Sequence, residues 1–219
     1  MTPQIAPSLL AANFYDLKPQ LEAVKAAGAS VLHIDVMDGM FVPNISVGIP
    51  VIESLAKTSG MTLDVHLMIN NPDRYIKAFA EAGGDWLTVH YEAVPVNELR
   101  GLLAEIRDMG LKAGLSVKPD TDTDVIEDYA ELCDLILIMT VPPGFGGQHY
   151  DPDGNARIAR VRAILDKKNP GCILSVDGGI DRHTIAGAHR AGADLFVAGS
   201  AVFGEPDAGE AVKELLSIL

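Results

Sequence analysis

Short apolar runs alternate with amphipathic stretches along the whole chain. Runs near 4–8, 31–36, 62–67, 86–90, 112–116, 134–139, 172–176 and 194–198 read as strands, each brief and bounded by glycine or polar residues. Between them apolar positions recur at helical spacing near 16–27, 48–58, 73–82, 97–109, 122–130, 155–168, 181–191 and 205–218. Segments such as DLILIM and ADLFVAG are almost wholly hydrophobic, as parallel strands covered on both faces must be. Several helical stretches close on glycine, at Gly28, Gly83, Gly84, Gly110 and Gly192, where a left-handed residue ends a helix cheaply. Eight β-then-α units without a linker predict an α/β chain forming one domain over 1–219, closed as a (β/α)8 TIM barrel. An open doubly wound sheet is the competing architecture, but no GxGxxG follows the first strand.

In such a barrel, chemistry sits where strands end and βα loops begin. Strand two reads VLHIDVMDG, and the period of a strand turns His33, Asp35 and Met37 to one face, toward the barrel axis, while Leu32, Ile34 and Val36 face the helices. Strand three repeats the device in TLDVHLM, with Asp64, His66 and Met68 inward. Strand seven ends SVDGG and delivers Asp177 to the rim. Imidazoles and carboxylates inside an apolar barrel are costly unless paired, protonated or metal-bound. His33, Asp35, His66 and Asp177 together form a two-histidine, two-carboxylate set suited to a divalent ion of Zn2+ type, with Mn2+, Fe2+ or Co2+ as alternatives. A single inward histidine would read as a satisfied core residue, whereas the set of four calls for a cation.

A second constellation points to an anion. VPPGFGGQ (141–148), DGG (177–179) and AGS (198–200) follow strands six, seven and eight. Glycine lets backbone N–H groups approach phosphate oxygens closely, and loops seven and eight form a common phosphate site in this architecture. Neither lysine nor arginine lies in the three segments, so backbone donors would make the grip. PPGFGG has stiff prolines at its root and free glycines at its tip, as a lid would. Met37, Met68 and Met139, at the ends of strands two, three and six, are either core filler or an apolar cap that excludes water. Ser8 ends strand one, and His90 and Glu92 in VHYEA read as supporting residues.

Composition narrows the partners. Thirty acidic against 17 basic residues give a formal charge of −13, which repels nucleic acid and anionic membranes. No apolar run reaches the ~18 residues of a membrane span, and MTPQIAPSLLAANF lacks the pattern of a signal peptide. With Cys133 and Cys172 in apolar surroundings and no CxxC, the expectation is a soluble cytoplasmic protein with free thiols.

Through APSLL, LHIDVMDGMFVPN, DVHLMI, VHYEA, IMTVPPGFGGQ, VDGGI and AGSAVF, spread from residue 6 to 203, the chain resembles the ribulose-phosphate 3-epimerase family. The resemblance implies an isomerase of the pentose phosphate pathway that epimerises D-ribulose 5-phosphate to D-xylulose 5-phosphate at C3, by two-base proton transfer through a metal-stabilised enediolate. It implies one divalent ion per subunit on His33, Asp35, His66 and Asp177, no organic cofactor, and Asp35 and Asp177 as the acid–base pair, with Asp35 taking the proton from ribulose 5-phosphate. Ser8 and His66 would touch substrate, while Gly144, Phe145, Gly146, Gly147, Gly178, Gly179, Gly199 and Ser200, beside Asp177, would surround its phosphate. A homo-oligomer, dimer or hexamer, is expected. Pro142, Met40 and Ser175 depart from the family pattern, which more often has a polar residue, histidine and glutamate there. The alternatives are a hexulose-phosphate epimerase acting on allulose 6-phosphate, and a barrel that binds a sugar phosphate without catalysis. A Schiff-base aldolase would need a lysine at a strand end, and neither Lys112 nor Lys118 is so placed.

Overall fold

The alternating pattern resolves into eight parallel strands: β1 (Gln4–Pro7), β2 (Val31–Met37), β3 (Thr62–Met68), β4 (Trp86–His90), β5 (Lys112–Val117), β6 (Leu135–Met139), β7 (Ile173–Asp177) and β8 (Leu195–Ala198). The computed structural model describes residues 2–219. Each strand pairs with its chain neighbour, β8 returns to β1, and a parallel bridge between Ser8 and His33 brings β1 against β2 to close the barrel. Helices α1 (Leu17–Ala26), α2 (Ile49–Thr58), α3 (Ile76–Glu81), α4 (Val96–Asp108), α5 (Gly154–Lys168), α6 (Ile185–Arg190), α7 (Ser200–Phe203) and α8 (Ala208–Ile218) form the outer layer.

Strand parity sets two cores. Outward residues such as Leu32, Ile34, Leu63, Val65, Ile136 and Ile138 pack against helix residues including Leu21, Val24, Ile52, Leu99 and Val161, all buried. Each such aliphatic side chain contributes roughly 1.5–3 kcal/mol by leaving water. Inward, Ala6, Val31, Leu135, Leu137, Ile173, Leu195 and Val197 fill the lower barrel and leave the upper end to polar side chains. The helix-closing glycines adopt the expected left-handed backbone, with φ of +110° at Gly28 and +109° at Gly192. Cys133 and Cys172 are buried free thiols, and burial pushes Cys172 up to about 12.

The expected helix at 122–130 is instead two 3-10 turns, Thr123–Asp128 and Ala130–Leu132. Asp122 spends its carboxylate on the N–H of Asp124, and Glu127, Asp128 and Glu131 crowd the carboxyl end, where a helix dipole disfavours negative charge. After β8 the expected single helix is preceded by the one-turn α7, which begins at Ser200.

Candidate active site

β2 and β3 run in a register that sets Asp35 beside His66 and His33 beside Asp64. Across the barrel mouth β7 ends on Asp177. His33, Asp35, His66 and Asp177 thereby offer donor atoms that all lie within 4.8 Å of one another. Asp35 Oδ1 is 3.2 Å from His33 Nε2 and 3.0 Å from His66 Nδ1, and Asp177 Oδ2 is 4.0 Å from His33 Nε2. The Ser8 hydroxyl donates to Asp35 Oδ2 at 3.1 Å. Both histidines are fully buried, whereas the Asp177 side chain is 18% exposed.

Fit to a cation can be judged from the far side of each ring. The Nδ1–H of His33 donates to Asp64 Oδ2 at 2.7 Å, so a carboxylate behind the ring turns Nε2 toward Asp35 and Asp177. Such a carboxylate–histidine pair sets ring orientation and raises ligand basicity. His66 Nε2 lies 2.9 Å from His90 Nε2, leaving its Nδ1 toward Asp35. Two nitrogens and two carboxylates converging on one point are a chemically suitable donor set for a divalent ion.

Without an ion, protons take up the charge balance. Burial works against a charged His33, but Asp35 and Asp64 on either side outweigh it and raise its pKa well above the usual value. The two carboxylates diverge. Burial would raise Asp35, yet His33 and His66 hold it below the usual carboxylate range. Burial and then the Asp35 charge raise Asp177 to about 6. Environments that push two carboxyls apart are what an acid and a base sharing one site would require.

Above the cluster lies a cavity lined by Ser8, Asp35 and Asp177, by the methionines Met37, Met68 and Met139, and by the glycine loops. Met37 and Met68 pack with Val42, Leu10 and Phe41, while Met139 packs on the inward apolar residues of the barrel. Gly144, Phe145, Gly146, Gly147, Gly178, Gly179, Gly199 and Ser200 line the opposite wall. His33 and His66 sit beneath this floor, His66 behind Asp35.

Backbone geometry accounts for the glycines at the turn after β7. Gly178 and Gly179 have φ of +119° and +65°, and a Cβ on Gly179 would stand 2.3 Å from the Tyr150 nitrogen. Thr140 secures the turn by donating its hydroxyl to the carbonyls of Asp177 and Gly178, at 2.9 and 2.6 Å. The 141–148 loop is tied by Gln148, which donates to the carbonyls of Pro142 and Phe145, and by Asn44, which donates to that of Gly144. Phe145 at its tip is 56% exposed.

Of the three departures, Pro142 and Met40 are exposed, Met40 on the loop organised by Asp38, whose carboxylate accepts from the N–H groups of Met40, Phe41 and Asn70. Ser175 is different: it faces the barrel interior, fully buried, and its hydroxyl has no partner among the described residues. Lys112 lies at the opposite end of the barrel, its Nζ 4.6 Å over the Trp86 ring, and Lys118 stacks its Nζ on Phe41 at 3.9 Å.

Sequence reasoning turned Asp64 inward with His66 but gave it no role, and the structure sets it behind the His33 ring. It passed over Ser46, which donates to the Asp35 carbonyl at 2.5 Å, and Thr140, for neither of which a local pattern gave a signal.

The ribulose-phosphate 3 epimerase family profile matches residues 4–203. A ribulose-phosphate 3-epimerase of Bacillus subtilis (strain 168) is 44% identical over 213 residues, covering 97% of each chain. One from Mycobacterium tuberculosis (strain ATCC 25618 / H37Rv) is 46% identical over 215 residues, covering 97% of this chain and 91% of that one. In fold alone, the chain is similar to the crystal structure of 3-hexulose-6-phosphate synthase from Salmonella typhimurium, at 16% identity and a TM-score of 0.71 over 99% of this chain and 98% of that one.

Proposed function

The chain belongs to the ribulose-phosphate 3-epimerase family, and we propose that it interconverts D-ribulose 5-phosphate and D-xylulose 5-phosphate by moving one proton at C3. The observation that carries the proposal is the convergence of Asp35 from β2 and Asp177 from β7 on one point of the barrel mouth, in surroundings that push Asp35 down and Asp177 up.

Inversion needs a proton taken from one face of C3 and returned to the other. Asp35, ionised, is the base for ribulose 5-phosphate, and Asp177, whose carboxyl burial and the Asp35 charge push upward, is the acid. The roles exchange in the reverse direction. Ser8 donates to Asp35 Oδ2 and so keeps that carboxylate aimed from β2. Proton loss at C3 puts negative charge on the C2 oxygen of an enediolate. His33, Asp35, His66 and Asp177 would hold a divalent ion, Zn2+ or else Mn2+, Fe2+ or Co2+, and when bound it supplies positive charge beside that oxygen.

Recognition of the phosphate falls to the wall of Gly144–Gly147, Gly178, Gly179, Gly199 and Ser200, whose N–H groups can donate without a charged side chain. A phosphate held there would leave the sugar chain, C3 included, to extend across the same cavity that Asp35 and Asp177 line. Met37, Met68 and Met139 supply an apolar lining that keeps water from a carbanion-like species. Phe145 and its glycines would serve as the lid of the rim.

A coupled assay of ribulose 5-phosphate conversion tests this reading, run on chelated protein and after adding back each ion, with allulose 6-phosphate in parallel. The expected result is ion-dependent turnover that favours the pentulose. Preference for the hexulose would reassign the substrate, and no turnover of either with any ion would leave a sugar-phosphate-binding barrel.

A further inference from the structure

Behind His66 a chain of polar contacts leads out of the barrel. His66 Nε2 meets His90 Nε2 at 2.9 Å, and His90 Nδ1 meets Glu92 Oε2 at 3.1 Å. The other carboxylate oxygen, Oε1, accepts from the Lys118 N–H at 2.8 Å and from the Thr121 hydroxyl. Both rings are fully buried, and the Glu92 side chain is 20% exposed at the outer end. Burial would raise Glu92, but the hydrogen bonds from His90, Thr121 and Lys118 bring it down to about 2, so it is a carboxylate.

An ionised carboxylate only accepts, and this gives the chain a direction. His90 must present N–H at Nδ1 to Glu92. One proton, and only one, fits between two ring nitrogens 2.9 Å apart. With His90 bare at Nε2, that proton sits on His66 Nε2. His66 Nδ1 is then a lone pair facing Asp35 Oδ1 at 3.0 Å, an arrangement of two acceptors that a cation between them resolves. On the other side, Asp64 sets His33 in the same way.

We propose that Glu92, acting through His90, is a positioning residue that fixes His66 in the tautomer whose Nδ1 is free for a metal ion. The inference rests on the metal reading of the four-residue cluster given above. It extends that reading to a residue on the loop after β4, outside the cavity. Glu92→Gln is a sharp probe because it keeps the shape. The amide oxygen would be retained by the Lys118 N–H and the Thr121 hydroxyl, so the NH2 would face His90 Nδ1 and reverse every donor in the chain. His66 would then carry its proton on Nδ1, where the ion must bind.

Two measurements on the full chain decide the matter. In Zn2+-loaded wild type with 15N-labelled rings, long-range 1H–15N correlations should find His66 protonated at Nε2 and His90 at Nδ1. Competition with a chromophoric chelator should give Glu92→Gln a Zn2+ affinity roughly 10–100-fold below wild type, the usual cost of losing an outer partner of a ligand. A proton on His66 Nδ1 in the loaded protein, or a variant affinity equal to wild type, overturns the proposal. Should the variant fail to fold, the wild-type spectrum still decides. If wild type itself binds no Zn2+, the metal reading falls and this inference with it; tight binding unchanged by the substitution removes Glu92 alone.

Discussion

The two halves of the barrel mouth solve different problems with different materials. On β2, β3 and β4 the functional groups are buried side chains, and each has a partner behind it: Asp64 behind His33, His90 and Glu92 behind His66, Ser8 beside Asp35. After β6, β7 and β8 the wall is glycine backbone, secured by Thr140, Gln148 and Asn44 through carbonyls. Charge that must be moved or exchanged needs groups that titrate or ligate, and burying these requires a supporting network. A phosphate that must only be held is served by N–H groups that never change state. The comparison teaches that losing a group on the first half should change what the site does, and on the second half how tightly it holds.

The largest expected effect tests the first half. Asp35→Asn and Asp177→Asn should each lower kcat by about 10^2–10^4-fold, the range for a general acid or base, while phosphate affinity stays near wild type. Near-normal turnover in either variant would remove that carboxylate from the proton transfer. Gly179→Ala tests the second half and should act more weakly. Its φ of +65° and the 2.3 Å approach to the Tyr150 nitrogen force the turn to shift. Folding stability should fall by more than about 1 kcal/mol, and KM should rise with kcat little changed, because binding common to ground and transition states is lost. A collapse of kcat with KM intact would mean that the glycine turn aims Asp177 and does not merely hold phosphate.

The two halves also differed in how readily they could be read from sequence. Period-two alternation in VLHIDVM and TLDVHLM placed His33, Asp35 and His66 correctly, because burial on one side of a strand leaves no freedom of register. The glycine clusters were legible as a wall since strands six to eight are consecutive in a barrel. What escaped depends on partners distant in sequence: Thr140 reaches across from β6 to hold the β7 turn, and Ser46 reaches back to Asp35. The segment at 122–130 misled because its apolar spacing is helical while its carboxylates oppose a helix dipole. His90 and Glu92 were visible as supporting residues, but the direction of their hydrogen bonds needed the structure.

Asp177 straddles the division, joined to the glycine turn by the chain and to Asp35 by charge, and its titration is the finest test of how separate the halves are. In metal-free protein its carboxyl should titrate near about 6, against about 3.9 for an unfolded aspartate. Between these values the folded protein holds a proton that the unfolded chain has released. This group therefore favours the folded state fully below about pH 4, and that contribution is lost as pH rises through the folded value. Carboxyl 13C spectra of Asp177 would locate the midpoint. Asp35→Asn should lower it part of the way, leaving the larger share that burial imposes. Adding Zn2+ to wild type should lower it further, since positive charge favours the carboxylate. A midpoint that ignores Asp35 would mean that β7 does not sense β2, and the upward shift of Asp177 that supports the two-base reading would need another cause.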